Sequence, residues 1–435
     1  MTMPVDHRDG PASADEQHEQ RADASEPRFP GPDLAAFEAA AANVAAVARR
    51  TPMETSRFLA TRLGVPVHLK CENLQRTGSY KLRGAYHRIS QLSAEEQARG
   101  VVAASAGNHA QGVAYAAREL GIRATIFMPV GVALPKLEAT RAYGADVVLE
   151  GGEIAETLAA ASAFAEETGA VVIPPYDHPD VIAGQGTLGL EILEQAPDVE
   201  TIIVPIGGGG LASGIASAAK QRAAQLGRTL RVVGVQARNA APYLPSLAAG
   251  APTSVPVVPT IADGIAVYRP GTLNFDIIRE TVDEIVTVSD DDIARALLVL
   301  LERAKLVVEP AGAVSVAAIL SGQVTGSGPT VALLSGGNID PLLMQRVVAH
   351  GLAASGRYLT LTIGLPDRPG QLARISELIA EANANVVEVL HTRHGSDLMI
   401  TEVALKMSVE TRGPDHSAHV LRILRDAGYD PVVGE

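Results

Sequence analysis

The chain has 435 residues, about three times the length of a common single domain, so more than one folded unit is expected. Hydrophobic residues make up 47% and charged residues 20%, as in globular proteins with a large core. The net charge of −13 and the aromatic content of 3% disfavour nucleic acid as a partner, because no basic excess is present to neutralise phosphates.

Cysteine content and hydropathy restrict the class further. Cys71 is the only cysteine in the sequence, which excludes an internal disulfide and a cysteine-rich zinc site and fits a reducing compartment. The first residues are acidic and polar where a signal peptide has an apolar segment, and no later stretch approaches the roughly 18 apolar residues of a membrane span. We therefore expect a cytoplasmic protein with no membrane partner.

The first two-thirds of the chain alternates between strand-like and helix-like segments. Residues 1–32 are polar, charged and proline-rich without a hydrophobic period, which indicates a disordered tail. Asp33 is a suitable N-cap for an alanine-rich helix over residues 34–50, which Pro52 would end. Amphipathic segments then separate short, β-branched apolar runs, predicted as strands at 65–69, 101–105, 124–128, 146–149, 171–174, 201–206, 232–236 and 331–335. This alternation is typical of an α/β fold with parallel sheets covered by helices.

The pattern changes after about residue 345. Alternating apolar and polar residues predict half-exposed strands at 358–364, 385–392 and 398–407, and helical spacing occurs at 371–382 and 416–427. The order β-α-β-β-α-β is typical of a ferredoxin-like module of about 75 residues.

Lys81 is the first candidate for chemistry. It follows Gly78-Ser79-Tyr80 at the predicted start of a helix. A lysine there is most often a solvated surface charge. Alternatively, burial and the positive end of the helix dipole would lower its pKa and prepare it for Schiff-base formation. The local pattern leaves both interpretations open.

A second segment, SAGNHAQG, begins at Ser105, directly after a predicted strand, and opens a helix. Free backbone N–H groups at such a turn suit a carboxylate or a phosphate, and Ser105 and Asn108 add side-chain hydrogen bonds. An ordinary turn with an asparagine cap fits the local sequence equally well.

The third segment consists of four consecutive glycines, Gly207, Gly208, Gly209 and Gly210, between a predicted strand and a helix. Glycines allow the backbone to surround an anion closely, which predicts a phosphate site. The run does not match the dinucleotide fingerprint, and no nucleoside-triphosphate loop occurs in the sequence. A flexible turn without a ligand is the alternative.

Two further segments complete the set: SGGN, from Ser335 to Asn338, and EPAGA, which begins at Glu309. Ligands of α/β proteins bind at the carboxyl ends of parallel strands, where several of these segments are expected to meet. Four glycine-bearing strand ends and one lysine in a single parallel sheet therefore predict one common site.

Together, these segments resemble the fold type II pyridoxal-phosphate enzymes, and most closely the threonine ammonia-lyases (threonine dehydratases), over residues 33–345. The resemblance implies two subdomains, as in the tryptophan synthase β chain, with the smaller one at about 76–172. It implies pyridoxal 5′-phosphate as cofactor, with Lys81 as the Schiff-base lysine, Gly207 to Gly210 on the phosphate, Asn108 at the 3′-oxygen and Ser335 at the ring nitrogen.

The same resemblance assigns Ser105, Asn108 and Glu309 to a small amino-acid substrate. A serine at the ring nitrogen makes the cofactor a weaker electron sink than an aspartate would, which favours β-elimination. The expected reaction converts threonine to 2-oxobutanoate and ammonia. A serine or hydroxyaspartate dehydratase or racemase on this scaffold, or a catalytically idle amino-acid sensor, remains an alternative.

Two departures from the related serine racemases narrow these alternatives. Ala106 stands where those enzymes carry a second serine that acts as acid and base, so racemisation should be minor. Pro242 offers no side-chain oxygen where they place an acidic metal ligand, so we predict no divalent metal.

The C-terminal segment resembles an ACT domain through LPDRPGQL, which begins at Leu365, and through Asn385 at the start of the next strand. The resemblance implies pairing between subunits, in a dimer or tetramer, and an effector such as isoleucine or valine at the shared interface. The implied effector residues are Asp367, Arg368, Gly370, Leu372 and Asn385. A domain that only mediates assembly is the alternative. We expect a linker at 346–356 and the ACT domain at 357–435.

Overall fold

A computed structural model describes residues 31–393 and 401–434. Most of the predicted N-terminal tail and the first residues of the strand predicted at 398–407 lie outside the described residues. The helices are α1 Leu34–Val44, α2 Arg57–Leu63, α3 Lys81–Ser90, α4 Ala94–Arg99, α5 Asn108–Glu119, α6 Leu134–Ala142, α7 Ile154–Thr168, α8 Pro179–Gln195, α9 Gly210–Gln225, α10 Tyr243–Ala249, α11 Thr272–Thr281, α12 Asp290–Val299, α13 Pro310–Leu320, α14 Pro341–Ala354, α15 Gln371–Glu381 and α16 Pro414–Asp426.

The strands form three separate sheets. Their bounds are β1 Met53–Thr55, β2 Val67–Cys71, β3 Val101–Ala104, β4 Ala124–Met128, β5 Asp146–Leu149, β6 Val171–Val172, β7 Thr201–Pro205, β8 Arg231–Ala237, β9 Glu284–Val288, β10 Thr330–Leu334, β11 Tyr358–Pro366, β12 Asn385–Thr392, β13 Glu402–Glu410 and β14 Pro431–Val433.

The largest sheet has the order β1-β2-β10-β7-β8-β9, and its strands run parallel except for β1. Its central strands β7 and β10 are buried at every position, which explains their continuous apolar runs. A second sheet, β5-β4-β3-β6, is parallel throughout. The predicted α/β class with parallel sheets is confirmed. Both β1 and β9 were not predicted, because each is short, lies at an edge and contains charged or half-exposed residues.

The third sheet is antiparallel, with the order β12-β13-β11-β14. Alternate residues of β11 and β13 are buried against α15 and α16 in a core of their own. This confirms the predicted β-α-β-β-α-β module.

The first helix is shorter than predicted: it ends at Val44 instead of Arg50. The side chain of Gln75 holds Arg49, the residue before the predicted end, outside the helix. It accepts a hydrogen bond from the Arg49 N–H at 2.8 Å and donates one to the Arg49 carbonyl at 2.9 Å. Both backbone groups of Arg49 are therefore engaged outside the helix.

The order of the largest sheet brings three of the predicted site segments together, whereas the Ser105 segment follows β3 of the second sheet, so the expectation of a single parallel sheet was wrong. Strand β10 lies between β2 and β7, so the chain segments after these three strands are neighbours. Backbone hydrogen bonds join two of them: Tyr80 N donates to Ser335 O at 3.2 Å, and Gly337 N donates to Gly78 O at 2.8 Å. The start of α3, with Lys81, is thereby tied to the end of β10.

A buried ion network anchors α3 from its other side. Arg83 donates to Glu72 through Nε and Nη2, each at 2.9 Å, and its Nη2 lies 2.8 Å from Glu191. Lys70 Nζ, fully buried, contacts Glu191 at 2.5 Å. Burial alone would raise the pKa of Glu72, but the Arg83 guanidinium outweighs it and the pKa lies below its ordinary value. The network fixes the helix that carries Lys81 to β2 and α8.

Replacing Glu72 with alanine would leave Arg83 buried without its bidentate partner. We expect the free energy of unfolding to fall by about 3 to 5 kcal/mol, measured by urea denaturation. The control is Glu194→Ala, because Glu194 pairs with Arg50 in an exposed ion pair that should contribute less than about 1 kcal/mol. Equal losses in the two variants would contradict the anchoring role of the network.

Candidate functional site

Lys81 is the first residue of α3 and lies half-buried between the two parallel sheets. Its Nζ donates a hydrogen bond to the Pro175 carbonyl at 2.9 Å. Burial lowers the pKa of Lys81 to about 8, although the negative charge of Glu309 opposes this shift. A substantial fraction of the amine is therefore neutral and nucleophilic in mildly alkaline solution.

The four glycines form a tight turn between β7 and α9. A Cβ atom on Gly208 would collide with the ring of Tyr176, and one on Gly209, which has φ of +110°, would collide with the Tyr243 hydroxyl. The N–H groups of Gly207 to Gly210 have no acceptor within residues 31–393 and 401–434. A cradle of free donors at a helix N-terminus is suited to an anion such as a phosphate.

Residues distant in sequence hold this cradle in shape. Tyr243 Oη donates to the Gly208 carbonyl at 3.0 Å. Asp177 accepts hydrogen bonds from the backbone N–H groups of Thr272 at 2.9 Å and Leu273 at 3.1 Å, and so caps α11 beside the glycine turn. Sequence reasoning missed these residues. The one available signal was that Tyr176 and Asp177 come shortly after the strand predicted at 171–174.

The turn from Ser105 to Asn108 supplies a second set of free donors. The Ser105 hydroxyl accepts a hydrogen bond from Gly107 N at 3.2 Å, and α5 begins at Asn108. Within the described part of the chain, the N–H groups of Ala106, Asn108 and His109 have no acceptor. A Cβ atom on Gly107 would meet nothing within 4 Å, so this turn faces open space and can receive a carboxylate.

Asn108 lies at the centre of a side-chain network. Its Nδ2 donates to Glu309 Oε1 at 2.6 Å, and its Oδ1 accepts from Asn338 Nδ2 at 2.8 Å. Asn338 Nδ2 also lies 2.8 Å from the Thr77 carbonyl and 3.2 Å from Gln111 Oε1. Segments from four different parts of the chain, around residues 77, 108–111, 309 and 338, therefore meet at these side chains.

Glu309 is 6% exposed and is the carboxyl group that contacts Asn108. Its pKa is raised to about 7, mainly by burial and also by the charge of Asp263, while the hydrogen bond from Asn108 and the charges of Lys136 and Lys81 oppose the shift. Lys136 and Asp263 also pair with each other at 3.1 Å. Neither residue was identified from sequence, because nothing in their local patterns distinguishes them from surface charges.

Ser335 and Ser79 lie side by side at the end of β10. Ser335 is 3% exposed, and Ser79 forms a backbone bridge with Gly336. The Ser79 hydroxyl is buried and has no partner among the described residues. The structure therefore brings together Lys81, the glycine turn, Asn108, Glu309 and Ser335 in one region, with Ser105 at its edge.

The predicted effector residues do not all meet within one chain. Asp367, Arg368, Gly370 and Leu372 lie in or beside the turn between β11 and α15. Asn385 begins β12 and pairs with Glu410, at the opposite end of the sheet from this turn. A single effector contacting both sets would therefore need two copies of the domain.

Residues 31–393 and 401–434 contain neither a metal-binding cluster nor a membrane-spanning helix. No group of three or more His, Cys, Asp or Glu side chains is placed to hold a metal ion. No described helix is long and apolar enough to cross a membrane.

A lysine with a lowered pKa beside an anion cradle, at the carboxyl edge of a parallel sheet, defines a site for an aldehyde cofactor that carries a phosphate. A family model described as "Pyridoxal-phosphate dependent enzyme" matches residues 44–336, and one described as "ACT domain" matches residues 359–429. The chain belongs to the pyridoxal-phosphate-dependent enzymes and carries an ACT domain.

Individual relatives resemble the chain over most of its length. It is 48% identical to an L-threonine ammonia-lyase of Geobacter sulfurreducens over 382 residues, which cover 88% of this chain and 94% of the relative. Among solved structures, the processed form of threonine deaminase isoform 2 from Solanum lycopersicum matches with a TM-score of 0.69 and 37% identity, over 74% of this chain and 95% of that one. Maize serine racemase matches with a TM-score of 0.69 and 36% identity, over 74% and 98%.

The pKa of Lys81 can be tested through its reaction with pyridoxal phosphate. The rate of covalent attachment to the cofactor-free chain should rise with pH with a midpoint of about 8, because the neutral amine is the nucleophile. Glu309→Gln removes a negative charge that raises this pKa, so the midpoint should move to lower pH. Stopped-flow absorbance measures the rate, and Glu377→Gln, on the exposed face of α15, is the control. A midpoint unchanged by Glu309→Gln would show that the two groups do not interact.

Proposed function

We propose that the chain catalyses the deamination of L-threonine to 2-oxobutanoate and ammonia by β-elimination of water. The observation that carries this proposal is the lysine beside the glycine cradle in a chain 48% identical to an L-threonine ammonia-lyase over 94% of that enzyme.

The residues present fit pyridoxal phosphate. Lys81 would attach it covalently, the glycine turn would bind its phosphate through N–H groups, Asn108 would donate to its 3′-oxygen and Ser335 would meet its ring nitrogen. When bound, the cofactor supplies an electron sink for the negative charge that develops at the substrate α-carbon. The buried Ser79 hydroxyl, without a partner in the described chain, is a further polar group available in this region.

The turn from Ser105 to Asn108 would bind the substrate carboxylate through its free N–H groups and the Ser105 hydroxyl. This would orient the substrate with its α-proton toward Lys81. With a pKa of about 8, the Lys81 amine can accept that proton near neutral pH and release it afterwards. Glu309, with a pKa of about 7, can hold a proton beside Asn108 under the same conditions.

A serine racemase is the alternative that the structural comparison favours equally, since the maize enzyme has the same TM-score as the tomato deaminase. Ala106 argues against it, because a methyl group cannot supply a proton to the opposite face of the substrate. Rates of 2-oxo acid formation from L-threonine and L-serine, with chiral analysis of residual serine, separate the two activities. Faster formation of D-serine than of 2-oxo acid would favour the racemase, and no turnover of any substrate would favour the idle sensor.

We further propose that the ACT domain binds a small amino acid, such as isoleucine or valine, between two copies of the chain in a dimer or tetramer. Helix α14 offers a route to the active site, since it begins three residues after Asn338 and leads into β11. Its Gly351 approaches the Ala294 carbonyl so closely that a Cβ atom would lie 2.9 Å from it. Thr411 N donates to Arg357 O at 2.8 Å. This bond joins the residue before β11 to the residue after β13 of the ACT sheet.

Lys81→Ala removes the amine that the chemistry requires. We expect formation of 2-oxobutanoate from threonine to fall to the uncatalysed background and the visible absorbance of the bound cofactor to disappear. Lys220→Ala, at an exposed ion pair with Asp283, is the control and should retain both signals. Activity in Lys81→Ala would refute the assignment of the catalytic lysine.

The role of the turn between β11 and α15 in effector binding can be tested by the substitution Gly370→Ala. Gly370 has φ of +92°, so an alanine there strains the turn before α15 by about 1 to 2 kcal/mol. We expect the response of the threonine deamination rate to isoleucine or valine to weaken while the basal rate stays unchanged. Gly413→Ala, before α16 with φ of +118° and ψ of 179°, applies at least as large a strain to a different loop and should keep the response. An enzyme whose rate is insensitive to every added amino acid would support a domain that only mediates assembly.

A further inference from the structure

We propose that Asn338 is a positioning residue that fixes the amide of Asn108 so that its N–H, and not its oxygen, faces the cofactor. This inference rests on the proposed function, because it concerns how the chain would hold pyridoxal phosphate. Asn338 would act through Asn108 and would not itself touch the substrate.

The hydrogen bonds of Asn108 leave one donor free. An asparagine amide has one acceptor oxygen and two N–H groups. Asn338 Nδ2 donates to Asn108 Oδ1 at 2.8 Å, and one N–H of Asn108 is taken by Glu309 at 2.6 Å. The remaining N–H of Asn108 is the group available to the 3′-oxygen of the cofactor. In the flipped amide, the oxygen would take this position and repel that oxygen.

Asn338 is itself held in a defined orientation. Its Nδ2 lies 2.8 Å from the Thr77 carbonyl and 3.2 Å from Gln111 Oε1, so acceptors from two other segments surround the same amide nitrogen. A Cβ atom on Gly78 would collide with Asn338 Oδ1, so a glycine there is required for the close approach. The orientation of Asn338 is therefore determined by the backbone that also carries Lys81.

Glu309 alone cannot fix the orientation of Asn108. Burial brings the pKa of Glu309 to about 7, so this carboxyl group changes between acceptor and donor near neutral pH. A protonated Glu309 could donate to Asn108 Oδ1 and so tolerate the flipped amide. The Asn338 amide nitrogen is a donor at every pH, and it keeps Asn108 Oδ1 as its acceptor.

The test measures the dissociation constant of pyridoxal phosphate by equilibrium dialysis, and the pH dependence of the visible absorbance of the bound cofactor. Asn338→Ala and Asn108→Ala should each weaken binding about 10-fold, the effect of losing one hydrogen bond to a charged group. The double variant should bind no more weakly than Asn108→Ala. In Asn338→Ala the midpoint of the absorbance change should move to higher pH, because the anionic oxygen loses a donor.

Two controls separate positioning from packing. Asn338→Asp has the same shape but replaces the donor by an acceptor, so it should bind the cofactor at least as weakly as Asn338→Ala. Asn73→Ala removes another asparagine of this region, one that donates to the Val307 carbonyl at 3.0 Å without contacting Asn108, and should change neither measurement.

Several results would overturn the inference. Additive losses in the double variant would show that Asn338 acts independently of Asn108. Wild-type affinity in Asn338→Asp, or an equal loss in Asn73→Ala, would show that only packing matters. These results leave the proposed function intact, whereas a wild-type chain that does not bind pyridoxal phosphate would overturn both.

Discussion

The site depends on the position of strand β10 between β2 and β7. Parallel pairing on both sides forces the segments after these three strands to the same edge of the sheet. The lysine-bearing turn, the glycine cradle and the Ser335 segment come from chain positions more than a hundred residues apart. No local interaction could bring them together, so the register of β10 determines whether the site exists.

Burial at this edge acts in opposite directions on the two central ionisable groups. It lowers the pKa of Lys81 to about 8 and raises that of Glu309 to about 7, because both charged forms lose hydration. Their mutual attraction limits both shifts. The pKa of the amine falls toward neutral pH and that of the carboxyl group rises toward it. Near neutral pH the amine can therefore lose a proton and the carboxyl group can keep one. Such groups are suited to proton transfer at physiological pH.

Sequence patterns predicted the central strands and turns well, because the residues that define each of them are adjacent in the sequence. The apolar run before Gly207 is typical of a buried strand, and the four glycines that follow it are suited to the close approach of an anion. Sequence patterns did not predict features that depend on a contact with a residue far away in the sequence. The position of Arg49 outside α1 depends on Gln75, and the shape of the cradle depends on Tyr243. The roles of Lys136 and Asp263 depend on a contact between residues 127 positions apart, which no local sequence pattern predicts.

The connection between the ACT domain and the active site follows from the same geometry. Asn338 contacts Asn108 at one end of a short segment, and Asp340 caps α14 two residues later through Leu342 N at 2.7 Å. Only Ile339 separates the residue that contacts Asn108 from the residue that caps α14. An effector can change the hydrogen bond to Asn108 through this short connection only if it prefers one of two positions of α14, because equal affinity for both positions shifts nothing.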